Sequence, residues 1–230
     1  MIEFICAKRH CITISCSKGE HMESLKLTSH AVYVDNGINM EEIQQIIESI
    51  ERGSQPFTVF TAGRICYQKN PELFNQIAEA MPAVRFLWIG DGSMRKELRS
   101  PNIEITGWMT REQAMRHMAE GDVFILTSRW EGLPISLLEA MYLKKPCIVS
   151  NVIGNQDVIS NGENGFVCQT AEDFVEALYK VQHETHGMMT EKAYQDILRL
   201  YNTKVMAEKY SMIYRREGSI NRSQRVKGKI

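Results

Sequence analysis

From about residue 56 the chain repeats one pattern, in which a short continuous apolar run precedes a stretch with helical periodicity. The apolar runs are "FTVFTAG", "VRFLWIG", "DVFILTS" and "KPCIVS", bounded by Gly, Pro, Asp or Ser. Because their apolar character is continuous, they predict parallel strands buried on both faces. The helical stretches fall at about 70–80, 92–99, 111–119 and 134–143. This order predicts an α/β fold, a Rossmann-like parallel sheet with helices on both faces.

Local signals refine this scheme at two places. Thr110 is a predicted N-cap, and Gln113 three residues later completes a capping box. Beyond residue 170 the strand pattern ends, and three helical segments follow at 171–183, 190–201 and 203–216. In a doubly wound sheet, ligands bind at the carboxyl ends of the strands. The loops after "FTAG", "LWIGDG" and "ILTSRWEG" are therefore the candidate binding loops.

Composition excludes several classes of protein. The net charge of −1 over 230 residues gives no reason to expect nucleic acid as a partner. No apolar run approaches the roughly 18 residues of a membrane span, and "MIEFICAKRH" is too charged for a secretion signal. Six cysteines form no C-x-x-C pair, and the five-residue spacing of Cys6, Cys11 and Cys16 is not a usual zinc spacing. We expect a reduced, cytoplasmic protein without a metal site.

The first candidate loop is "GRICYQKN". Gly63 allows a sharp turn at the strand end, and the cations Arg64 and Lys69 follow it. Two cations beside a helix N-terminus suit a diphosphate, although solvent-exposed cations without a ligand would give the same pattern. The second loop, "IGDGS", lacks the third glycine of a dinucleotide turn, so its glycines are expected to serve turn geometry.

The third loop is "SRWEGLPISLLEAM", which places two carboxylates, Glu131 and Glu139, on either side of a helix start near Pro134. The free N–H groups of that first turn would suit a phosphate or a sugar hydroxyl. A carboxylate accepts hydrogen bonds from vicinal diols, so Glu139 can hold a ribose. The alternative is that Glu131 caps the helix and Glu139 is an exposed helical residue.

The motifs in their sequence order resemble glycosyltransferase family 4. The blocks are "TAGRICYQKNPELF", "LWIGDGSMRKEL", "IEITGWM", "GDVFILTSRWEGLPISLLEAM", "KPCIVSNVIGNQDVISNGENGFV" and "KYSMIY". The resemblance covers about residues 31–217 and includes the E-x7-E motif of that family.

This resemblance implies a GT-B fold, in which two Rossmann-like domains face each other across a cleft. The C-terminal domain binds a nucleotide sugar, UDP- or GDP-linked, and the sugar is transferred with retention of configuration and without a metal or other cofactor. The catalytic residues implied are Glu131, Arg64 and Lys69, and Glu139 would hold the ribose. Trp108 and Met109 match the stretch that frames the base. The full donor-binding set implied is Gly63, Arg64, Lys69, Trp108, Met109, Glu131, Gly132, Leu133, Pro134, Ile135, Ser136 and Glu139.

The domain organisation departs from the family. Residues 1–36 match only the end of an N-terminal acceptor domain and its linker, 37–217 the nucleotide-sugar domain with C-terminal helices, and 218–230 a basic tail, expected to be disordered. Residues 215–230 hold six Lys or Arg and one Glu, which would also suit an anionic membrane surface. The expected partners are therefore the nucleotide sugar, a saccharide or lipid-linked acceptor, the inner face of the membrane and a missing N-terminal domain.

Two other functions stay open from the sequence. The missing front domain favours a nucleotide-sugar-binding module without activity of its own. An epimerase on a related two-domain scaffold is less favoured, because it does not need the E-x7-E arrangement.

Overall fold

The computed structural model describes residues 12–50 and 56–227 of the chain. The strands are β1 (Thr13–Ser15), β2 (Ala31–Tyr33), β3 (Thr58–Ala62), β4 (Arg85–Ile89), β5 (Ile103–Ile105), β6 (Val123–Leu126), β7 (Cys147–Ser150) and β8 (Phe166–Cys168). The helices are α1 (Lys18–Leu25), α2 (Met40–Glu48), α3 (Pro71–Ala80), α4 (Arg111–Glu120), α5 (Ile135–Tyr142), α6 (Ile153–Gln156), α7 (Ala171–His183), α8 (Gly187–Leu200) and α9 (Thr203–Lys227).

Six of these strands form one parallel sheet in the order β5-β4-β3-β6-β7-β8. The order reverses between β3 and β6, which is the topological switch point where such sheets bind ligands. This confirms the predicted fold class. The two edge strands β5 and β8 have only three residues each, and so short a run gives no periodic signal in the sequence.

Both faces of the sheet are covered by helices. Alternate strand residues point to opposite sides, so Phe60 joins one buried cluster and its neighbour Val59 the other. The first cluster packs α2, α4, α5 and α8 on the sheet. The second packs α3 and α7 on the opposite face, where Phe74 meets Phe86 and Trp88 edge-on at 5.6 and 4.9 Å between ring centroids. Burial on both faces explains the continuous apolar runs in the sequence.

One predicted helix is wrong. Residues 92–99 contain only a 3-10 turn, Arg95–Glu97. Tertiary hydrogen bonds take the backbone groups that a helix would need: Met94 N–H donates to Ile65 O, and the Asn75 Oδ1 atom accepts from the N–H groups of Arg99 and Ser100 at 2.6 and 2.9 Å. Hydrogen bonds to neighbouring segments therefore determine the conformation of residues 92–99, and they override the local helical propensity.

The other predicted helices are present, and the Thr110–Gln113 capping box is confirmed at the start of α4. α7 spans the residues predicted, 171–183, whereas α9 continues to Lys227 and so enters the segment predicted as a tail. The domain boundaries stay a prediction. Across residues 12–50 and 56–227, no helix combines the length and the apolar character that crossing a bilayer requires.

The N-terminal segment forms a separate small unit, in which β1 and β2 pair in parallel around α1. Two hydrogen bonds attach it to the main domain. Gly19 N–H donates to Asp157 Oδ2 at 2.8 Å, and Asn36 Nδ2 donates to Leu133 O at 2.9 Å. A third link returns from α9, where Lys209 pairs with Asp35 at 2.6 Å. The segment thus packs directly against the loop between Glu131 and α5.

The aromatic contacts under α3 lead to a stability prediction. Replacing the fully buried Phe74 with Ala removes a ring that touches two other aromatic side chains, and we expect the free energy of unfolding to fall by about 3–5 kcal/mol. Urea unfolding followed by circular dichroism measures the change. Gln76→Ala, an exposed position on the same helix, is the matched control and should shift the free energy by less than about 0.5 kcal/mol. Equal small losses in both variants would contradict this packing.

Candidate functional site

The three candidate loops lie side by side at the carboxyl edge of the sheet, because β4, β3 and β6 are adjacent and parallel. Two glycines with positive φ let the first two loops meet: Gly63 at +146° and Gly90 at +135°. A Cβ at Gly90 would lie 2.3 Å from Gly63 O, so a side chain there would push the loops apart. Trp88 Nε1 donates to the same Gly63 oxygen at 2.9 Å. As predicted, these glycines serve turn geometry.

A nearly buried ion pair joins the first and third loops. Lys69 Nζ lies 2.6 Å from Glu131 Oε1, and the two side chains are only 16% and 6% exposed. Ser128 Oγ donates to the same carboxylate oxygen at 2.6 Å, and Gln68 Nε2 lies 3.5 Å from Oε2. Three side chains, those of Lys69, Ser128 and Gln68, therefore hold Glu131, which lies in the loop before α5. It does not cap the helix, whose N-cap is Pro134 without a side-chain hydrogen bond, so that alternative is wrong.

The second carboxylate is buried inside the domain. Glu139 is 5% exposed, so the alternative of an exposed helical residue is also wrong. Its Oε1 atom accepts a hydrogen bond from Arg111 Nη1 at 2.7 Å, and Arg111 Nε donates to Glu42 at 2.8 Å. Burial raises the pKa of the Glu139 carboxyl, although the Arg111 guanidinium acts in the opposite direction. The arginine is the counter-ion that makes a buried carboxylate tolerable here.

Between the two carboxylates, the backbone from Gly132 to Ser136 turns into α5. The N–H groups of the first helical residues, Ile135 and Ser136, have no intrahelical acceptor and are available to a ligand. The loop is tightly enclosed from outside: a Cβ at Gly132 would lie 2.8 Å from Cys16 Sγ, and one at Gly154 would lie 2.3 Å from Gly132 O. The N-terminal unit and α6 therefore fix the backbone that leads into the helix.

The remaining predicted residues lie in the loops after β3 and β5. Arg64 is exposed, and the described part of the chain gives its guanidinium no hydrogen bond or ion pair, so its charge is available. Trp108 is 71% exposed just beyond β5, whereas Met109 packs against the core. Three residues after Trp108 comes Arg111, which reaches Glu139. Arg111 therefore connects the segment predicted to frame the base with Glu139, the acid predicted to hold the ribose.

Three contacts of the site were missed in the sequence. Ser128 and Arg111 hold the two glutamates, and Asn36 holds the loop between them. Their partners are 3, 28 and 97 residues away, and only the Ser128 contact lies within the quoted motif. Of the three cysteines at five-residue spacing, Cys6 and Cys11 lie outside the described residues. Burial raises the pKa of Cys16 to about 12, and Glu20 adds to the effect.

The site is thus a parallel α/β sheet with two cations, two held carboxylates and a helix N-terminus at its switch point, the place where sheets of this class bind ligands. A sequence profile described as Glycosyl transferases group 1 matches residues 56–184. The chain belongs to this glycosyltransferase family.

Two curated relatives are also glycosyltransferases. The chain is 26% identical over 226 residues to the Escherichia coli UDP-Gal:alpha-D-GlcNAc-diphosphoundecaprenol alpha-1,3-galactosyltransferase, covering 86% of this chain and 56% of the relative. It is 28% identical over 177 residues to the alpha-D-kanosaminyltransferase of Streptomyces kanamyceticus, covering 70% and 46%. The chain thus spans about half the length of these curated relatives.

Solved structures show the same fold. Sucrose-phosphate synthase from Thermosynechococcus elongatus superposes with a TM-score of 0.82 at 16% identity, covering 96% of this chain and 61% of that one. HepE from Anabaena, solved with UDP and glucose, gives 0.77 at 14% identity, covering 91% and 64%. The architecture is that of one half of a GT-B glycosyltransferase.

The Glu139–Arg111 contact leads to a pH prediction. In Arg111→Ala the opposing charge is lost, so the pKa of Glu139, already raised by burial, should rise further. Because the folded pKa lies above the unfolded one, folding stability is retained below the unfolded pKa and decreases as pH rises through the folded pKa.

Carboxyl-carbon NMR titration measures the shift, with Glu139 identified by the signal absent in Glu139→Gln. Arg116→Ala on the same helix is the control, because Arg116 pairs with Glu112. An unmoved Glu139 titration in Arg111→Ala would contradict this.

Proposed function

We propose that this chain is the donor-binding half of a retaining glycosyltransferase of family 4. It transfers a sugar from a UDP- or GDP-linked donor to a saccharide or lipid-linked acceptor. The observation that carries the proposal is the Lys69–Glu131 pair, held at 2.6 Å beside the N-terminus of α5 at the carboxyl edge of the sheet. That arrangement offers cationic, N–H and carboxylate partners to one ligand.

The donor binds across the three loops in one orientation, with its base and ribose at one end and its sugar at the other. Its ribose hydroxyls bind the Glu139 carboxylate, and its base lies near Trp108 and Met109. Its diphosphate faces Arg64, Lys69 and the α5 amides. Lys69 is neutralised by Glu131 before the donor arrives, so the uncommitted charge of Arg64 provides much of the initial attraction. The transferring sugar then lies against Glu131 and the backbone of residues 132–136.

The dominant catalytic effect is stabilisation of the leaving diphosphate. Negative charge develops on it as the glycosidic bond breaks, and Arg64, Lys69 and the 135–136 amides are fixed donors in its direction. No metal or other cofactor is required for this role. The acceptor hydroxyl attacks from the face that the diphosphate leaves, and its proton passes to the departing phosphate. Glu131 orients the sugar and balances the positive charge that develops at its anomeric carbon.

One of the relatives supports the setting that we propose for the reaction. The Escherichia coli relative is named for a lipid-linked GlcNAc acceptor and a UDP-Gal donor. An acceptor of that kind would place the chain in the cytoplasm at the inner face of the membrane, where the basic residues of 215–230 meet anionic lipid. Polysaccharide assembly is the process we propose for it.

A nucleotide-sugar-binding module without transferase activity is the second candidate. It would need only the loops after β3, β4 and β6, and the described residues include all three. Incubating the purified chain with UDP- and GDP-sugars, and measuring the release of nucleoside diphosphate, separates the two. Turnover by the chain, or by the chain with an added N-terminal domain, supports the transferase. Donor binding without turnover under either condition supports the module.

Arg64 gives a direct test of the diphosphate position. Arg64→Ala should weaken the binding of UDP or GDP by roughly 1.5–3 kcal/mol, the range for a hydrogen bond to a charged group. Isothermal calorimetry measures this. Arg85→Ala is the matched control, because Arg85 lies at the amino end of β4 and pairs with Glu104, so the affinity should be unchanged. If Arg64→Ala loses no affinity, the diphosphate does not bind there.

Substitution of Glu139 and of Glu131 should change different kinetic constants. Glu139→Gln removes binding to a part of the donor that does not react, so KM rises while kcat changes little. Glu131→Gln removes a group beside the reacting sugar, so kcat should fall by about a hundredfold or more. Steady-state kinetics of both variants, in a chain with an acceptor domain, make the comparison.

The Glu131 variant needs a folding control, because Lys69 is left without its partner in a nearly buried position. Thermal unfolding of Glu131→Gln shows whether the fold is intact, and Ser128→Ala, which removes a hydrogen bond to the same oxygen, gives a milder perturbation. Equal increases in KM for both glutamate variants, with kcat unchanged, would remove Glu131 from catalysis.

A further inference from the structure

Two large aromatic side chains are exposed next to the Lys69–Glu131 pair, and donor binding gives neither a role. Tyr67 is 57% exposed and Trp130 is 51% exposed, with their ring centroids 5.9 Å apart at an interplanar angle of 51°. Each is two residues or fewer from a member of the ion pair. We call these two side chains the aromatic ledge. Leaving so much aromatic surface in water forfeits the burial energy that such residues usually supply.

The ledge is held rigidly. Arg129 N–H donates to Gln68 O at 2.8 Å, and Gln68 Nε2 donates back to Trp130 O at 3.1 Å, so the two loops that carry the rings are bonded to each other. Arg129 also places its guanidinium 4.4 Å from the Tyr67 ring centroid and pairs with Glu72 at 3.1 Å. A rigid surface loses little conformational entropy when it binds a ligand.

The ledge continues into a groove at the same edge of the sheet. The groove has a volume of about 460 Å³ and lies between the N-termini of α3 and α7. Its lining is rich in polar side chains that accept or donate hydrogen bonds, including Asn70, Glu72, Gln76, Arg129, Gln169 and Thr170. Arg129 and Glu72 belong to both the groove and the support of the ledge.

Aromatic faces beside dense hydroxyl partners match the chemistry of a pyranose. One face of the sugar ring presents C–H groups, which are attracted to the negative face of an aromatic ring, and its edges present hydroxyls. A nucleobase would also stack on aromatic rings, but the proposed donor direction places the base beyond β5, near Trp108. An apolar protein partner would fit poorly over a rim made by the Arg129–Glu72 ion pair and the Gln68 amide.

We propose that the aromatic ledge binds a pyranose of the acceptor saccharide and that the groove receives the next sugar of the same glycan. This inference rests on the proposed function and adds an acceptor subsite to the donor domain. The sugar on the ledge lies against Glu131, so its hydroxyl reaches the donor carbon, while the rest of the acceptor leads away between α3 and α7. Tyr67 and Trp130 are then determinants of acceptor specificity and take no part in donor binding.

The test separates glycan binding from nucleotide binding. The probes are methyl glucoside, methyl galactoside, methyl N-acetylglucosaminide, maltose and lactose, detected by saturation-transfer NMR, with UDP and GDP measured by calorimetry. At least one pyranoside should bind the wild-type chain. Trp130→Ala and Tyr67→Ala should each weaken it by about fivefold or more, with nucleotide affinity changed less than about twofold.

Two further variants define the role of the rings. Trp130→Phe keeps an aromatic face and should recover most of the affinity for the pyranoside, which a purely structural contact would not do. Tyr179→Ala is the matched control: Tyr179 is 53% exposed on α7, where it stacks on His183, and its loss should leave glycan binding unchanged. In a chain with an acceptor domain, Trp130→Ala should raise KM for the acceptor and leave KM for the donor unchanged.

The outcomes distinguish this inference from the proposed function. If UDP or GDP binds but no pyranoside binds, or if the pyranoside binds Trp130→Ala and Tyr67→Ala as well as wild type, the ledge is not a sugar site and the donor site stands. Wild-type self-association that both variants abolish would identify the ledge as a protein interface and overturn the proposal. If neither nucleotide binds, the proposed function fails, while pyranoside binding that depends on Trp130 would still support a sugar site.

Discussion

The ion pair between Lys69 and Glu131 is the constraint on which the site depends. It joins the loops after β3 and β6, which meet only because those strands are adjacent and parallel across the switch point. A further bond closes the same junction, since Thr127 Oγ1 donates to Lys69 O at 2.9 Å, and Ser150 Oγ at the end of β7 holds the loop after β6 by donating to Ser128 O at 2.6 Å. A charge pair that is so little exposed is tolerated because each charge has a partner at hydrogen-bond distance. Its rigidity fixes the direction of Glu131 and of the start of α5.

The junction between the loops after β3 and β6 supports residues on two sides of the site. Toward β4 and β5 lie the exposed Arg64 and the Glu139–Arg111 contact, which we propose as parts of a nucleotide diphosphate site. Toward α3 and α7, the hydrogen bonds that join the loops hold Tyr67 and Trp130 in water. Arg129 supports this second face through Tyr67 and Glu72. In the proposed reaction, this one set of loop contacts would align the donor with the acceptor, because both faces are bonded to the loops that hold Glu131.

The N-terminal unit adds a constraint from outside the sheet. Asn36 holds the carbonyl of Leu133, Cys16 lies against Gly132, and Lys209 of α9 pairs with Asp35. The backbone that separates the two glutamates is thus held by residues from both ends of the described chain. Movement of the segment before α2 would be transmitted to this loop through packed backbone, because Gly132 leaves no space for a side chain. In a two-domain enzyme, this is where a change in the domain angle would reach the donor site.

The sequence by itself determined the layered fold, the main helices and the loops that carry the site. Continuous apolar runs such as "DVFILTS" can be stable only between two helical layers, and Pro134 sets the start of α5. Tertiary structure alone decided that Lys69 pairs with Glu131, that Arg111 neutralises Glu139, and that residues 92–99 form a turn. Local propensity has no information about a partner 28 or 62 residues away, and the energy of such a contact exists only once the sheet has brought the loops together.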